Sequence, residues 1–357
     1  MARVRFAPSP TGALHVGGAL TAVANRAFAD QQGGTLILRI DDTDAARSDP
    51  ALAAALIDDL EWLGVGWEEG PIFQSGRHDR YAEASGCLVE GGHAFLEVDT
   101  VRFEGAHRPT LVRADGRATY HLASVVDDIA LEITHVIRGR DHAPNAELQT
   151  ALARALGAEP PQYLHHGLVV GPDGKKLSKR DGASSVAELR AEGVPAEALA
   201  EYLAELGMPR HDVAFDRARL ERLSTDAIAA LSDHELAERA GTDVSVVPVL
   251  RGARDLAEAR RLAEQVVETP ESVALDATER LTIERASELV KQLPGALDQQ
   301  TSRQLLREVK AVGGNLRTIR VVLTGAPRGP ELWAVIVALG HEEVLARLGR
   351  ALDTAGG

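Results

Sequence analysis

The stretch RFAPSPTGALHVGGA, residues 5–19, decides the fold that this chain predicts. It overlaps a short apolar segment, RVRFA at 3–7, which is typical of a buried strand, and the two prolines end that strand. A helix rich in alanine is predicted from Val16 to Gln31. The apolar run TLILRI at 35–40 predicts a second strand, buried on both faces. Strand, helix and strand in this order indicate a βαβ unit with a parallel sheet.

The strand and helix patterns continue beyond this unit and then change. Further elements are predicted as a helix at 50–63, a strand at 133–139, a helix at 145–156 and a pair of strands at 163–171. Helical patterns dominate from about Ser184 to the end. We therefore expect the α/β class: a Rossmann-like, parallel-sheet nucleotide-binding domain over residues 1–210, followed by an all-helical domain over residues 211–357.

The composition is that of a globular chain without crosslinks. Its 357 residues include one cysteine, Cys87, which excludes an internal disulfide and argues against a cysteine-based zinc site. The N-terminus lacks the apolar run of a signal peptide and no stretch is long enough to span a membrane, so we expect a cytoplasmic protein without a membrane partner. The net charge of −14 disfavours nonspecific nucleic-acid binding, but residues 301–350 carry seven arginines and one lysine against four glutamates.

A glycine-lined turn leads into the first helix. Ligands of open α/β sheets bind at the carboxyl ends of the strands, where a helix that starts there offers free N–H groups to an anion. Gly17 and Gly18 let a nucleotide approach the backbone, and His15 would then reach a phosphate. A histidine that caps the helix, with glycines placed for packing, explains this stretch about equally well.

A second segment, GPDGKKLSKRDG at 171–182, concentrates cations between glycines. Its four cations, Lys175, Lys176, Lys179 and Arg180, are suited to a triphosphate. A solvated basic loop is the usual alternative for such a run of charge.

Taken together, the two segments resemble a known pair of signatures. PSPTGALHVGG resembles the HIGH signature, and KLSKR the KMSKS signature, of class I aminoacyl-tRNA synthetases. Six stretches are similar to the glutamyl-tRNA synthetase family: RFAPSPTGALHVGGA, GGTLILRIDDTD, WLGVGWEEGPIFQS, ATYHLASVVDD, ITHVIRGRDH and GPDGKKLSKR. LTGAPRGPELWAVIVALGHEEVLARLGRAL resembles the closing segment of that family's anticodon-binding domain. The resemblance covers residues 1–98, 110–210 and 311–352 well and residues 211–310 weakly.

The resemblance implies a glutamate–tRNA ligase that uses ATP with Mg²⁺ to form glutamyl-adenylate and then transfers the glutamyl group to the 3′ end of tRNA(Glu). The catalytic residues that it implies are His15, Lys176 and Lys179. The implied ATP-binding residues are Pro8, Gly17, Gly18, Ser178 and Lys179. A role of Ser178 as a local turn former is about as consistent with the sequence. No zinc and no protein ligand to a metal are expected, and the family implies a monomer.

The amino-acid pocket follows from the same resemblance. Its implied residues are Arg5, Ser9, Asp41, Tyr120, Ser124 and Arg138. The two arginines match the carboxylate-binding residues of the family, because a guanidinium fork accepts a carboxylate in bidentate fashion. A surface salt bridge is the alternative for each arginine, but both border apolar strand patterns, which favours a position facing the pocket.

The acidic run RIDDTD at 39–44 has two interpretations. Carboxylates suit a Mg²⁺ site. The family implies instead that Asp41 meets the ammonium of the substrate, while Asp42 and Asp44 organise the loop with Arg47. We favour the second interpretation, because these carboxylates follow a strand end.

The chain departs from the family at Asp41, where the family has Glu, at Ser124, where a larger side chain such as Asn is usual, and at Arg140, where an acidic residue is common. It is also short: residues 94–116 leave room only for a hairpin or loop where the family carries a large insertion that grips the tRNA acceptor end. Two alternatives therefore stay open. One is a paralogue that passes the acyl group to a non-tRNA acceptor, and the other is a non-catalytic tRNA-binding protein.

Overall fold

The computed structural model of the chain describes residues 1–44, 47–105, 107–175, 177, 184–271, 273–293 and 295–353. The chain divides into two compact units. The first comprises Met1–Arg190 with Leu199–Arg217, and the second Ala191–Ala198 with Ala218–Gly357.

The α/β part of the chain alternates strands and helices. The strands are β1 (Arg3–Phe6), β2 (Thr35–Ile40), β3 (Glu69–Phe73), β4 (Ala94–Glu97), β5 (Thr100–Phe103), β6 (Thr110–Val112), β7 (His135–Gly139), β8 (Gln162–His166), β9 (Val169–Val170) and β10 (Val213–Ala214). The helices are α1 (Val16–Gln31), α2 (Pro50–Trp62), α3 (His78–Glu90), α4 (Tyr120–Ala130), α5 (Asn145–Ala155), α6 (Val186–Ala191) and α7 (Ala196–Leu206).

The predicted βαβ unit is confirmed. β1 pairs with β2, and β2 with β3, all in parallel. β2 is buried along nearly its whole length because helices cover both faces of a parallel sheet. Asp49 begins α2: its side chain accepts from the N–H of Ala51, and Pro50 occupies the first turn, where it has no intrahelical N–H to lose.

A second parallel pair, β7 with β8, starts beside β1. The N–H of Thr134 donates to the carbonyl of Arg3 at 2.9 Å, and the N–H of Arg3 donates to Oγ1 of Thr134 at 2.8 Å. Further along, the buried amide of Asn25 donates to the carbonyl of Ile137 at 3.1 Å, so a side chain from α1 serves a backbone group of β7. The paired sets are β3-β2-β1 and β7-β8, with β7 beginning next to β1. The winding direction reverses between β1 and β7, where such folds open a ligand cleft.

The region 94–112 forms more than the predicted hairpin. β4, β5 and β6 make a three-stranded antiparallel sheet that shares a core with α3, α4 and α5. Phe103, Leu111, Leu122 and Leu152 are buried in that core. Strands of three or four residues give too short an alternation of apolar and polar side chains to predict individually.

The two-stranded parallel pair β9 and β10 closes the first unit and places a strand at residues 213–214, inside the range expected to be all helical. Gly167 precedes this pair. Its N–H donates to the carbonyl of Pro209 at 2.6 Å, and a Cβ on Gly167 would lie 1.9 Å from the carbonyl oxygen of His211. Only glycine allows this approach of two backbone segments.

The described residues that follow form helices joined by turns. The helices are α8 (Arg217–Ala230), α9 (Asp233–Ala240), α10 (Val247–Leu250), α11 (Leu256–Val267), α12 (Ala277–Gln292), α13 (Gln299–Ala311), α14 (Leu316–Thr324) and α15 (Leu332–Asp353), the last interrupted at Gly340. Capping boxes at Ser232, Asp276 and Asp298 satisfy the first N–H groups of three of them. Across the described ranges, no helix combines the length and the apolar composition that a membrane span requires.

Candidate functional site

A cavity of about 610 Å³ lies in the first unit, at the carboxyl ends of β1 and β7. Nine of the residues expected at the site line it: Arg5, Pro8, Ser9, His15, Gly17, Gly18, Asp41, Tyr120 and Arg138. Segments far apart in sequence therefore meet where the strand order reverses. The roles assigned to these residues stay predictions.

The start of α1 presents backbone donors to the cavity. His15 precedes the helix in an extended conformation, and its side chain caps no backbone N–H. Val16 donates its N–H to the carbonyl of Ser184 at 3.0 Å, whereas the N–H groups of Gly17 and Gly18 find no acceptor among the described residues. A Cβ on Gly17 would meet no protein atom within 4 Å, so glycine keeps this wall of the cavity open.

Described residues within and beside the lysine-bearing segment lie at this cavity. Lys176, Ser178 and Lys179 lie outside the described residues. Gly174 before them, Leu177 among them and Ser184 after them line the cavity.

The chain after this segment is fastened to the start of α1. His15 and Ser185 form an antiparallel bridge, and the N–H of Val186 donates to the carbonyl of Leu14 at 2.8 Å. The carboxylate of Glu188 accepts from the N–H groups of Ser184 and Ser185 at 2.9 and 3.1 Å. The glycine-lined turn and residues 184–186, which follow the basic segment, are thus neighbours.

One wall of the cavity is a closed network of buried charges. Arg39, with 0% of its surface exposed, donates from Nε and Nη2 to both oxygens of Asp41, at 2.6 and 3.1 Å. Its Nη1 donates to Asp128 Oδ1 at 2.7 Å, and Nε of Arg5 donates to the same oxygen at 3.1 Å. Although burial acts to lower it, the Asp41 and Asp128 carboxylates raise the pKa of Arg39 well above its ordinary value.

Ser124 belongs to this network and does not line the cavity. Its hydroxyl accepts from Nη2 of Arg39 at 3.3 Å, and the residue is fully buried. Among the described residues, Ser124 is connected to the cavity through Arg39, which bonds Asp41 directly and is linked to Arg5 by their shared partner Asp128. Arg39 was not predicted from the sequence. The feature that could have indicated it is an arginine inside the otherwise apolar run TLILRI.

The neighbouring acidic residues serve the loops. Asp42 accepts from the N–H and the hydroxyl of Ser75, both at 2.7 Å. Asp44 pairs with Arg47 at 2.6 Å, which confirms that expected pair, whereas Asp42 holds a different loop from the one expected. Among the residues that the structure describes, no group of three or more His, Cys, Asp or Glu side chains is arranged to hold a metal ion.

Arg138 forms the opposite wall and has no carboxylate partner among the described residues. Its Nε donates to Nε2 of His165 and its Nη1 to the hydroxyl of Tyr120, both at 3.3 Å. The guanidinium carbon lies 5.1 Å from the centre of the Tyr163 ring. Its Nη2 is buried without a hydrogen-bond partner, and burial lowers the pKa of Arg138. A buried, unpaired guanidinium is costly, so this nitrogen marks a place for an anion.

Arg140, one of the three departures, has a structural explanation. Its Nη2 donates to Asp212 Oδ2 at 2.6 Å, and the other oxygen of Asp212 accepts from the N–H of Leu168 at 2.8 Å. Asp212 lines the cavity and was not predicted. His166 was also missed; it lines the cavity with its Nε2 3.0 Å from the hydroxyl of Thr21.

Comparison with known proteins defines the class. The family described as tRNA synthetases class I (E and Q), catalytic domain, matches residues 1–102 and 98–222, and an anticodon binding domain matches residues 251–352. The cavity lies at the carboxyl ends of a parallel sheet beside the HIGH-like turn, which fits the class I synthetase catalytic domain that this family describes. The particular family is given by relatives that match nearly the full chain.

Glutamate–tRNA ligase 1 of Rubrobacter xylanophilus is 37% identical, over 98% of this chain and 98% of that protein. Glutamate–tRNA ligase of Synechococcus sp. (strain JA-3-3Ab) is 33% identical, over 94% and 96%. The chain belongs to the glutamate–tRNA ligase family. The alignment with the R. xylanophilus protein runs over 422 positions against the 357 residues here, so that relative carries segments without a counterpart in this chain. The chain is a shortened member.

Solved structures share the fold. A glutamate tRNA ligase from Elizabethkingia meningosepticum, solved in complex with its amino acid, superposes with a TM-score of 0.80 at 22% identity, over 99% of both chains. The glutamate–tRNA synthetase of Elizabethkingia anophelis gives a TM-score of 0.77 at 22% identity, again over 99% of both chains.

Proposed function

We propose that this protein activates glutamate with ATP to form glutamyl-adenylate and transfers the glutamyl group to the 3′ end of tRNA(Glu). The observation that carries the choice of amino acid is Arg138, a buried guanidinium that lines the cavity with one nitrogen unpaired. An anionic carboxylate satisfies both its charge and its free donor, whereas an amide satisfies only the donor.

Charge balance supports glutamate. Arg5, Arg39 and Arg138 are buried at this end of the sheet together with Asp41, Asp127 and Asp128. Asp127 is also paired with the partly buried Arg77 at 2.6 Å, so the set of buried charges with that partner leaves one positive charge. Glutamate, with two carboxylates and one ammonium, carries one negative charge and neutralises it, but glutamine carries none. Asp41 is the group for the ammonium, reached directly or through a water because Asp is one methylene shorter than Glu.

ATP would occupy the other half of the cavity, against the start of α1. The free N–H groups of Gly17 and Gly18 and the side chain of His15 supply donors for phosphates, with Pro8 and Ser9 on the adjoining loop. Lys176, Ser178 and Lys179 complete this half in the proposal, and Mg²⁺ enters with the triphosphate. A glutamate carboxylate oxygen attacks the α-phosphorus and pyrophosphate leaves; the donors stabilise the charge that builds on phosphate oxygens.

The second step needs tRNA. The 3′-terminal ribose hydroxyl attacks the carbonyl of the adenylate, and AMP leaves. We propose the first unit, which extends through Arg217, as the catalytic domain and the helical part that follows as the tRNA-binding domain, in a cytoplasmic monomer. The proposed boundary lies beyond the expected residue 210 because Asp212 lines the cavity. The basic stretch 301–350 supports phosphate contacts in that second part.

The test is pyrophosphate exchange with glutamate, glutamine and aspartate, each with and without tRNA, followed by charging of tRNA. Glutamate-dependent exchange together with charging is the expected result. Exchange without charging would point to a non-tRNA acceptor, and no exchange with any amino acid would overturn catalysis altogether. Lys179→Ala should slow exchange while leaving the melting temperature unchanged; an unaltered rate would contradict its phosphate role.

A further inference from the structure

Among the described residues two arginines line the cavity, Arg5 and Arg138, and they are held by different kinds of partner. Arg5 donates to the carboxylate of Asp128. Arg138 donates to an imidazole and a phenol, His165 and Tyr120, at 3.3 Å each. Neutral acceptors fix the plane of a guanidinium and leave its charge uncompensated.

His165 is placed by the sheet to hold Arg138. The two residues are register partners in the parallel pair β7 and β8, so their side chains stand on the same face. The ring of His165 also stacks on Tyr163, with an interplanar angle of 7°. Arg138 lines the cavity and His165 does not, so a ligand in the cavity would contact Arg138 but not His165.

The contact fixes the protonation state of His165. Nε of arginine can only donate, so Nε2 of His165 must accept and the ring proton must lie on Nδ1. Burial, and after it the cation of Arg138, lower the pKa of His165; the other charged or titratable groups that act on it are His142, His166 and Asp141. At neutral pH the ring is therefore an uncharged acceptor.

We propose that His165 is a positioning residue for amino-acid selection: its neutral imidazole orients Arg138 without neutralising it, so that the full charge and the free Nη2 are reserved for the side-chain or α-carboxylate of glutamate. This inference rests on the proposed function. A carboxylate in place of the imidazole would form an ion pair with Arg138 and compete with the ligand.

The experiment compares three substitutions at residue 165 by pyrophosphate exchange, with kcat and KM measured separately for glutamate, glutamine and ATP. His165→Gln keeps an acceptor and should stay within about threefold of wild type. His165→Leu removes it and should raise the KM for glutamate roughly 10-fold or more, with the KM for ATP unchanged. His165→Glu supplies a rival anion and should lower kcat/KM for glutamate by roughly 100-fold while leaving glutamine use unchanged, so that selectivity collapses.

His135→Gln is the matched control, the same substitution at the start of β7 and without contact to Arg138. A second readout is pH: the KM for glutamate should rise as the pH falls and His165 takes up a proton in the wild type, and His165→Gln should flatten that profile.

The proposal is overturned if His165→Glu keeps the wild-type preference for glutamate, or if His165→Leu weakens ATP and glutamate equally, since that is the mark of a general structural role. Should His165→Glu fail to fold, His165→Leu and the pH profile decide. Wild-type exchange with glutamate tests the proposed function separately; its absence would overturn both.

Discussion

Each of two walls of one cavity contains a buried arginine, and the two arginines differ in whether a carboxylate compensates their charge. On the β2 side, Arg39 is completely buried and bonded to the carboxylates of Asp41 and Asp128. On the β7 side, Arg138 is 5% exposed and bonded to neutral groups. A compensated charge stabilises the fold, because removing it would leave its carboxylate partners buried and unpaired. An uncompensated charge costs stability and is retained for a ligand.

The largest expected effect is that of Arg39→Met. The change leaves Asp41 and Asp128 buried without their principal cation, so the free energy of unfolding should fall by about 3–5 kcal/mol. Urea denaturation measures it. Arg138→Met is the matched control, because the same substitution at a similarly buried arginine leaves no carboxylate unpaired. Equal losses of unfolding free energy in the two variants would contradict the comparison.

Arg138→Met should have the opposite effect from Arg39→Met: glutamate use is lost and stability is kept. Without the guanidinium, the carboxylate of glutamate loses its charged partner. The fall in kcat/KM for glutamate should correspond to a loss of about 2–4 kcal/mol of transition-state stabilisation, as expected when one member of a buried charge pair is truncated. The free energy of unfolding should stay the same or rise. Steady-state exchange and urea denaturation measure the two quantities; a variant that loses stability but keeps glutamate use would contradict the assignment.

A smaller effect is expected from acid pH. Burial and, second, the cation of Arg138 lower the pKa values of His121 and His165 below 6.5, so the unfolded chain binds protons more readily than the folded one. This contribution to the free energy of unfolding is complete above pH 6.5 and declines as the pH falls through and below that value. Denaturation curves at several pH values test this. In a double variant, His121→Gln with His165→Gln, the decline should be shallower; an unchanged slope would assign it to other groups.

The smallest effect is expected at the rim, where Arg140 pairs with Asp212. The arginine side chain is 51% exposed, and water and salt screen such a pair. Arg140→Ala should therefore change the free energy of unfolding by less than about 1 kcal/mol. Denaturation of both proteins at low and high salt measures it, and a loss comparable to that of Arg39→Met would show that rim and interior are not distinguished by burial.

The elements that sequence alone predicted well are long or uniformly apolar. α1 begins at Val16 and ends at Gln31 as expected, and β2 spans Thr35–Ile40, because an Ala-rich helix and an apolar strand are signalled over many residues. β3, with sequence EGPIF, was missed, since glycine and proline at its centre resemble a turn. The short strands β4 to β6 were expected only as a hairpin or loop, because strands of three or four residues give too little pattern.

By itself, the sequence determined the parallel-sheet class, the family and nine of the residues that line the cavity, because those depend on local pattern and on motifs whose chemistry requires particular residue types. Only the tertiary structure decided which charges are compensated. Arg39, Asp128 and His165 lie in three separate elements, β2, α4 and β8. No local sequence pattern indicates that Asp128 pairs with Arg39 or that His165 accepts from Arg138. Pairing of buried charges is set by distances across the core, and those distances exist only once the strands and helices have packed.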